Sequence, residues 1–568
     1  MQQPDDQFDD QNVDAASEAA ETHHAPAAPP RAAVPAWMIS LALHALVALG
    51  FSLVAFNQAA KEEELPPMVV QNVEPPPPVT EEEKNKQIEE IQQTEIAVDK
   101  PVDQPQKVET PVAEVQETTP TETAPVDTPT LASSESNSDA VGMNVIAAGG
   151  SGGGSPLSTR SGNGKRAGIM RYGGSAGSER AVDNALRWFQ RHQSPDGSWS
   201  PATYTSRCTG STPCEPGAVH NHESGENADN GSEQIGITGL VTLCYLGAGY
   251  DHQTPNKYQA TVKKSIAWLL SVQRPDGSFR NCFSYSQAIG TMALAEALAM
   301  SNDSNLRSAT QRGVNYLLST RLPAGPAAQE VARKMGKKIQ ALGWGDWHHN
   351  GDNRTSATGW GLQALKSAHI AGVDVRDGMD GARVWLKMLW QGTNGLLKLP
   401  QDKVNDPSKL DVNKDTTTLA YVLNGNDGKV SGLDEPHKLW NMAPLGVMAG
   451  LYLGFDKKDP MIQTMRNHVL KYDLPQPGKA IYNLYYTYYG TFAMFQMGGK
   501  DWQIWNKEVR DRLVSSQRRD GCRAGSWSPN GNFYGSNVNG TNIGPILTTA
   551  FSCLCLEVYY RYQQVHGE

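Results

Sequence analysis

The stretch AVDNALRWFQRHQSPDGSWS, residues 181–200, recurs 80 residues later as TVKKSIAWLLSVQRPDGSFR, residues 261–280. Val182, Leu186, Trp188, Phe189, Gln193, Asp196, Gly197, Ser198 and Trp199 align with Val262, Ile266, Trp268, Leu269, Gln273, Asp276, Gly277, Ser278 and Phe279. A partial third copy carries Leu513, Gln517, Asp520 and Gly521, with Trp527 shortly after. Apolar residues at i, i+4 and i+7 predict an amphipathic helix in each copy. The helix ends in a Gln, then an Asp-Gly turn, then an aromatic placed to fold back over the helix end. Chemistry requires none of this, so the motif reads as structural, and its recurrence predicts a repeat architecture.

Working outward, amphipathic segments alternate with segments that are apolar nearly all round. The first set is Arg180–Gln193, Tyr258–Gln273, Leu306–Thr320, Gly378–Gln391, Met461–Tyr472 and Trp502–Gln517. The second is Gln234–Tyr250, Tyr285–Met300, Thr355–Ala371, Trp440–Phe455, Tyr482–Met497 and Ile546–Tyr560. Helices without a polar face are buried on every side. Strict alternation therefore predicts an all-α ring of six helical hairpins, with the apolar helices forming an inner barrel and the amphipathic ones an outer one. An open solenoid needs polar capping faces at its ends, and the strongly apolar last helix argues for closure instead.

The rest of the 568-residue chain has a different character. Its net charge of −10 is unevenly spread: residues 1–34 carry −6, residues 61–140 carry −14, and residues 141–568 about +10. A body so mildly basic for its size gives no nucleic-acid footprint. Residues 36–56, AWMISLALHALVALGFSLVAF, form a 21-residue run without formal charge, long enough to cross a bilayer as one helix. The preceding tail is acidic rather than basic, which favours a retained anchor over a cleaved signal peptide. From Lys61 to Asp139 the chain is rich in Pro and Glu, including Pro75–Pro78 and Glu81–Glu83. Such composition predicts an extended tether rather than a packed domain. The expected organisation is thus a disordered acidic tail (1–34), a transmembrane helix (35–56), a disordered Pro/Glu-rich and then Gly/Ser-rich linker (57–177), and the helical body (178–568).

Two resemblances bear on function. The Gln-x-x-Asp-Gly-Ser-Trp unit, together with Trp344-Gly-Asp-Trp followed by Thr355-Ser-Ala-Thr-Gly-Trp-Gly-Leu-Gln, resembles the QW repeats of the prenyltransferase/squalene-cyclase superfamily. That resemblance implies an α/α toroid. Ser40 and His44 share one face of the apolar helix, and the pair resembles the anchor of TonB. It implies a bacterial inner-membrane protein with a cytoplasmic amino terminus, a periplasmic body and an ExbB/ExbD-like proton channel as partner.

The chemistry of the superfamily is not carried over with its fold. No DxDD acid, no zinc-binding Asp-x-Cys pair and no thioester Cys-Gly-Glu-Gln stands in the body, and no cofactor is expected. What remains lies in the loops leading into the inner helices. Asp346, His348, Asp352 and Glu233 are candidates for acid–base work or for holding a polar ligand. Tyr485, Tyr486, Tyr489, Trp440 and Trp360 are candidates for an aromatic pocket. Cys208 and Cys214 are expected to form a disulfide, with Cys282 and Cys522 as candidates for a second bridge. Zinc held by Cys208, Cys214, His220 and His222 is the competing arrangement. Cys244, Cys553 and Cys555 read as core. The expected function is binding of a ligand or partner within the toroid. Its alternatives are a divergent terpenoid or polyprenyl enzyme, a glycan-active toroid, or a proton-coupled envelope protein.

Overall fold

The computed structural model describes residues 157–217, 232–279, 284–345, 352–397, 399–433, 442–474, 484–529 and 543–564. The chain divides at Asp127, and every described residue belongs to the unit Thr128–Glu568. In chain order the helices are α1 Gly162–Tyr172, α2 Ala176–Arg191, α3 Ser232–Gly247, α4 Gln259–Val272, α5 Ser284–Ser301, α6 Ser304–Ser319, α7 Pro326–Lys334, α8 Thr355–Ile370, α9 Gly378–Leu396, α10 Gln401–Asn405, α11 Ala443–Tyr452, α12 Pro460–His468, α13 Leu484–Met497, α14 Gly499–Ser516, α15 Pro545–Leu556 and α16 Val558–Arg561. None of them is long and apolar enough to cross a membrane, and residues 36–56 lie outside the described residues.

The apolar helices form the inner layer. Helix α3 packs on α5, α5 on α8, α8 on α11, α11 on α13, α13 on α15, and α15 returns to α3. The amphipathic helices lie outside: α4 against α3 and α5, α6 against α5 and α8, α9 against α8 and α11, α12 against α11, α14 against α13 and α15, and α2 against α15, α3 and α14. The body is an α/α toroid. Burial follows the sequence pattern. Every residue from Ser286 to Ala299 of α5 is buried, whereas α2 buries one stripe, Ala181, Val182, Ala185, Leu186, Trp188 and Phe189. Each large side chain in such a stripe contributes about 1.5–3 kcal/mol on leaving water.

The repeated motif joins each outer helix to the next. Gln193 Nε2 donates to Gly197 O across its own turn (2.9 Å) and to Thr261 O of α4 (3.0 Å). Gln273 Nε2 reaches Ala309 O of α6 (3.0 Å), and Gln517 Nε2 reaches Ala181 O of α2 (2.7 Å), which links the last outer helix to the first. The aromatic folds back as expected. Trp199 Nε1 donates to Phe189 O and Trp527 Nε1 to Leu513 O, each at 2.8 Å, adding a bond to a carbonyl in the last turn of the helix. Gly197 (φ +97°) lies so close to α4 that a Cβ would strike the backbone carbonyl of Lys264. In the third copy that place is taken by Gly525 (φ +98°), against Asn184 O of α2. Gly521 therefore does not match Gly197 in space. The 3-10 turn Gly521–Arg523 lengthens this turn relative to its siblings.

Two features depart from the sequence reading. Part of the expected linker, residues 157–177, belongs to the folded body: Leu157 and Arg160 are buried, and α1 lies within the Gly/Ser-rich stretch. Ion pairing of Arg160 inside the ring holds this segment, as described below. Second, between α6 and α11 the chain adds α7 and three strands, β1 Asp352–Arg354, β2 Val422–Asn424 and β3 Val430–Ser431, in an antiparallel sheet of order β1-β2-β3. Asn353 pairs with Leu423 in its register. Thr355 N and Oγ1 donate to Tyr421 O and Ala420 O (2.9 and 2.8 Å), so the sheet anchors the first turn of α8.

Candidate functional site at the mouth of the inner ring

The first turns of the inner helices meet at one end of the ring. Tyr285 from the start of α5, Ser356 from the start of α8, and Tyr421 from the segment feeding β2 bring three hydroxyls together. Tyr285 OH and Ser356 Oγ are 2.7 Å apart, Ser356 Oγ and Tyr421 OH 2.8 Å, and the two phenol oxygens 3.4 Å. The Arg354 guanidinium lies 5.6 Å from the centre of the Tyr421 ring, within range of a cation–π contact. Tyr485, at the start of α13, stands edge-on to Tyr489 (5.0 Å) and Phe551 (6.0 Å), with its hydroxyl 3.4 Å from that of Tyr489. Tyr285, Tyr421 and Tyr485 are half-buried. Burial nevertheless pushes the Tyr285 phenol well above its ordinary range. These side chains are densely surrounded yet keep some contact with solvent.

Deeper in, the ring is filled. Trp360 stacks on Tyr488 (5.6 Å between centroids, 20° between planes), and Phe551 and Phe492 meet Tyr488 edge-on at 5.0 and 4.9 Å. Tyr488 OH donates to Gln363 Oε1 at 2.9 Å. Trp360, Tyr488, Tyr489, Phe492 and Phe551 are all at most 2% exposed. Of the aromatic candidates, Tyr485 is half-buried, while Trp360, Tyr486 and Tyr489 are buried; Trp440 lies outside the described residues.

The other candidates separate. Asp346, His348, His220, His222 and Cys282 lie outside the described residues. Asp352 belongs to β1, where its Oδ1 accepts from Asn424 Nδ2 at 3.0 Å. Glu233 is half-buried in the first turn of α3. Cys208 and Cys214 do not form the expected disulfide but are free thiols. They converge with Cys522 on His192, the cap residue of α2, which no reading of the loops singles out. Its one sequence signal is that the sibling repeat has Val272 at the matching place. Cys244, Cys553 and Cys555 are buried in the core, as expected.

The far end of the ring is closed by charge. Arg160 Nη1 meets Glu296 Oε2 at 2.7 Å, and Arg561 Nη2 meets Glu296 Oε1 at 3.2 Å. Tyr562 OH and Ser367 Oγ donate to the same carboxylate at 2.8 and 3.3 Å. Burial opposes ionisation of Glu296, but the two guanidiniums outweigh it and hold the carboxyl below its usual range. A cleft of about 490 Å³ lies outside this end, between α1 and α14. Its polar groups serve the entering chain: Asn506 Nδ2 and Arg510 Nη1 both donate to Gly173 O, at 2.9 and 2.6 Å.

No family model and no curated protein matches the chain. Solved structures do align with it at low identity. An α-1,6-mannanase of Salegentibacter sp. shares 10% identity over 67% of this chain and 99% of its own, with a TM-score of 0.40. An unsaturated glucuronyl hydrolase from Streptococcus agalactiae shares 14% over 69% and 94%, at 0.41. The type II terpene cyclase MstE from Scytonema shares 11% over 68% and 97%, at 0.37. These likenesses are loose, and the fold stands on the helix packing described above.

Proposed function

We propose that the chain is a membrane-anchored toroid of six helical hairpins that binds a neutral glycan at the mouth of its inner ring. The observation carrying this reading is the hydroxyl trio Tyr285, Ser356 and Tyr421 beside the half-buried Tyr485 ring. Hydroxyls both donate and accept, as sugar hydroxyls do, and aromatic rings offer the apolar faces on which sugar C–H surfaces rest. Among the described residues, Trp360, Tyr488, Tyr489, Phe492 and Phe551 pack the interior of the ring, which favours a site at the mouth over a long apolar channel of the sort an extended isoprenoid needs. The apolar run 36–56 with its Ser40/His44 face, and the acidic arm after it, support an inner-membrane anchor, an ExbB/ExbD-like partner and a periplasmic body.

The test is calorimetric titration of the whole chain in detergent micelles with neutral hexose oligosaccharides. Saturable binding that quenches tyrosine and tryptophan fluorescence is expected. Absence of glycan binding, with saturable binding of a polyprenyl phosphate instead, overturns the reading in favour of an isoprenoid ligand.

A further inference from the structure

The structure assigns a structural zinc site to His192, Cys208, Cys214 and Cys522, independent of the glycan reading. Their four ligand atoms all lie within 4.8 Å of one another. His192 Nε2 is 3.6 Å from Cys208 Sγ, 3.6 Å from Cys214 Sγ and 3.3 Å from Cys522 Sγ. A tetrahedral zinc with Zn–S near 2.3 Å and Zn–N near 2.05 Å sets its nitrogen and sulfur ligands ~3.6 Å apart. The thiols already stand at nearly that separation around a shared centre. The imidazole is also in the tautomer a metal needs. Its Nδ1 lies 2.8 Å from Trp188 O; a carbonyl only accepts, so Nδ1 carries the proton and Nε2 turns its lone pair to the sulfurs. Cys214 N points at Cys208 Sγ from 3.4 Å, a contact that steadies a thiolate.

Three thiolates and one imidazole are soft donors that select zinc over magnesium or calcium. All four tetrahedral positions come from the protein, so the site leaves no coordination position open for catalysis. Its placement states its purpose. His192 caps α2, Cys208 and Cys214 flank the loop after the first Asp-Gly turn, and Cys522 sits in the 3-10 turn Gly521–Arg523 that only the third copy of the motif has. Cys522 N also donates to Ser211 O at 3.2 Å, docking the two loops. The metal therefore clasps the first hairpin to the last, across 330 residues of chain, at the seam where the ring closes. The lengthening of the third turn, unexplained by the repeat itself, is what carries the third sulfur to the seam.

Elemental analysis and native mass spectrometry of the whole chain, purified without chelator, test this. One zinc per chain is expected, falling to near zero in Cys522→Ser and Cys214→Ser and unchanged in Cys555→Ser, whose thiol is in the core. Should the serine variants fail to fold, cobalt loaded into the metal-free parent gives a second readout: thiolate-to-cobalt charge-transfer bands and the visible bands of a tetrahedral ion. A metal-free chain overturns the site if its three thiols all alkylate freely. So does a chain two hydrogens lighter with Cys208 and Cys214 joined in one cross-linked peptide, or a cobalt spectrum without charge-transfer bands.

Discussion

The two ends of the inner ring are built from the same helices and do opposite things. At the last turns, two arginines and a tyrosine converge on Glu296, and none of the four side chains is more than 6% exposed. At the first turns, neutral hydroxyls meet one another while Tyr285, Tyr421 and Tyr485 keep contact with water. Buried charges demand partners in fixed geometry, which makes the far end a lock with one arrangement. Neutral hydroxyls can exchange one partner for another at small cost, so the mouth can accept a ligand without unmaking the fold.

The contrast breaks most readily at Glu296. Replacing it by Ala leaves the Arg160 and Arg561 guanidiniums buried without their carboxylate, a change that costs about 3–5 kcal/mol. Chemical denaturation should show that loss. Amide exchange should show deprotection of both α1 and α16, because Arg160 and Arg561 bring the two chain segments to one carboxylate. A loss confined to α5 would mean that the lock does not hold the chain ends.

A second carboxyl sharpens the picture of the lock through pH. Glu557 is fully buried, and burial pushes its pKa from the ordinary 4.5 up to about 8, with Arg561, 3.6 Å away, pulling the other way. Between those values the folded chain keeps a proton that the unfolded chain has released. Stability from this group therefore falls as pH rises from about 4.5 and levels off above about 8. Glu557→Gln cannot ionise, so its Tm should decline less than the parent's between pH 5 and pH 8.5, by ~2–4 °C for each kcal/mol recovered. Parallel declines would place a charged Glu557 within the lock.

The lock and the seam show where sequence reading stopped. Helix character, alternation and the Gln/Asp-Gly/aromatic joint are local patterns. They were legible because each residue's partner lies within its own turn or on the neighbouring helix, as with Gln193 and Thr261 O. Arg160 was not legible: in a Gly/Ser-rich stretch it reads as a solvated linker residue, and its partner Glu296 is 136 positions away. His192 failed for the same reason. Cys208 and Cys214, six residues apart in sequence, suggested pairing with each other, but the sulfur that completes their cluster arrives from the other end of the chain. Tyr421 was invisible because its place over Ser356 is set by a sheet whose strands are three and two residues long, too short for a period to emerge. Contacts that close a ring are the longest-range contacts in the chain, so they leave the faintest trace in sequence.

The smallest expected effect decides whether the mouth is a site or merely a softer piece of core. Tyr421→Phe removes one hydroxyl from beside the Ser356–Tyr285 pair and leaves the ring under the Arg354 guanidinium. Ser356 and Tyr285 remain 2.7 Å apart and keep each other's hydrogen bond. Stability should therefore fall by no more than about 1 kcal/mol. Glycan affinity should fall by roughly 2–10-fold, the worth of one hydrogen bond in an otherwise intact cluster. An affinity loss without a stability loss marks the hydroxyl as one that meets ligand. Equal losses in both, approaching the Glu296→Ala penalty, would make the trio a second lock and remove the difference between the two ends of the ring.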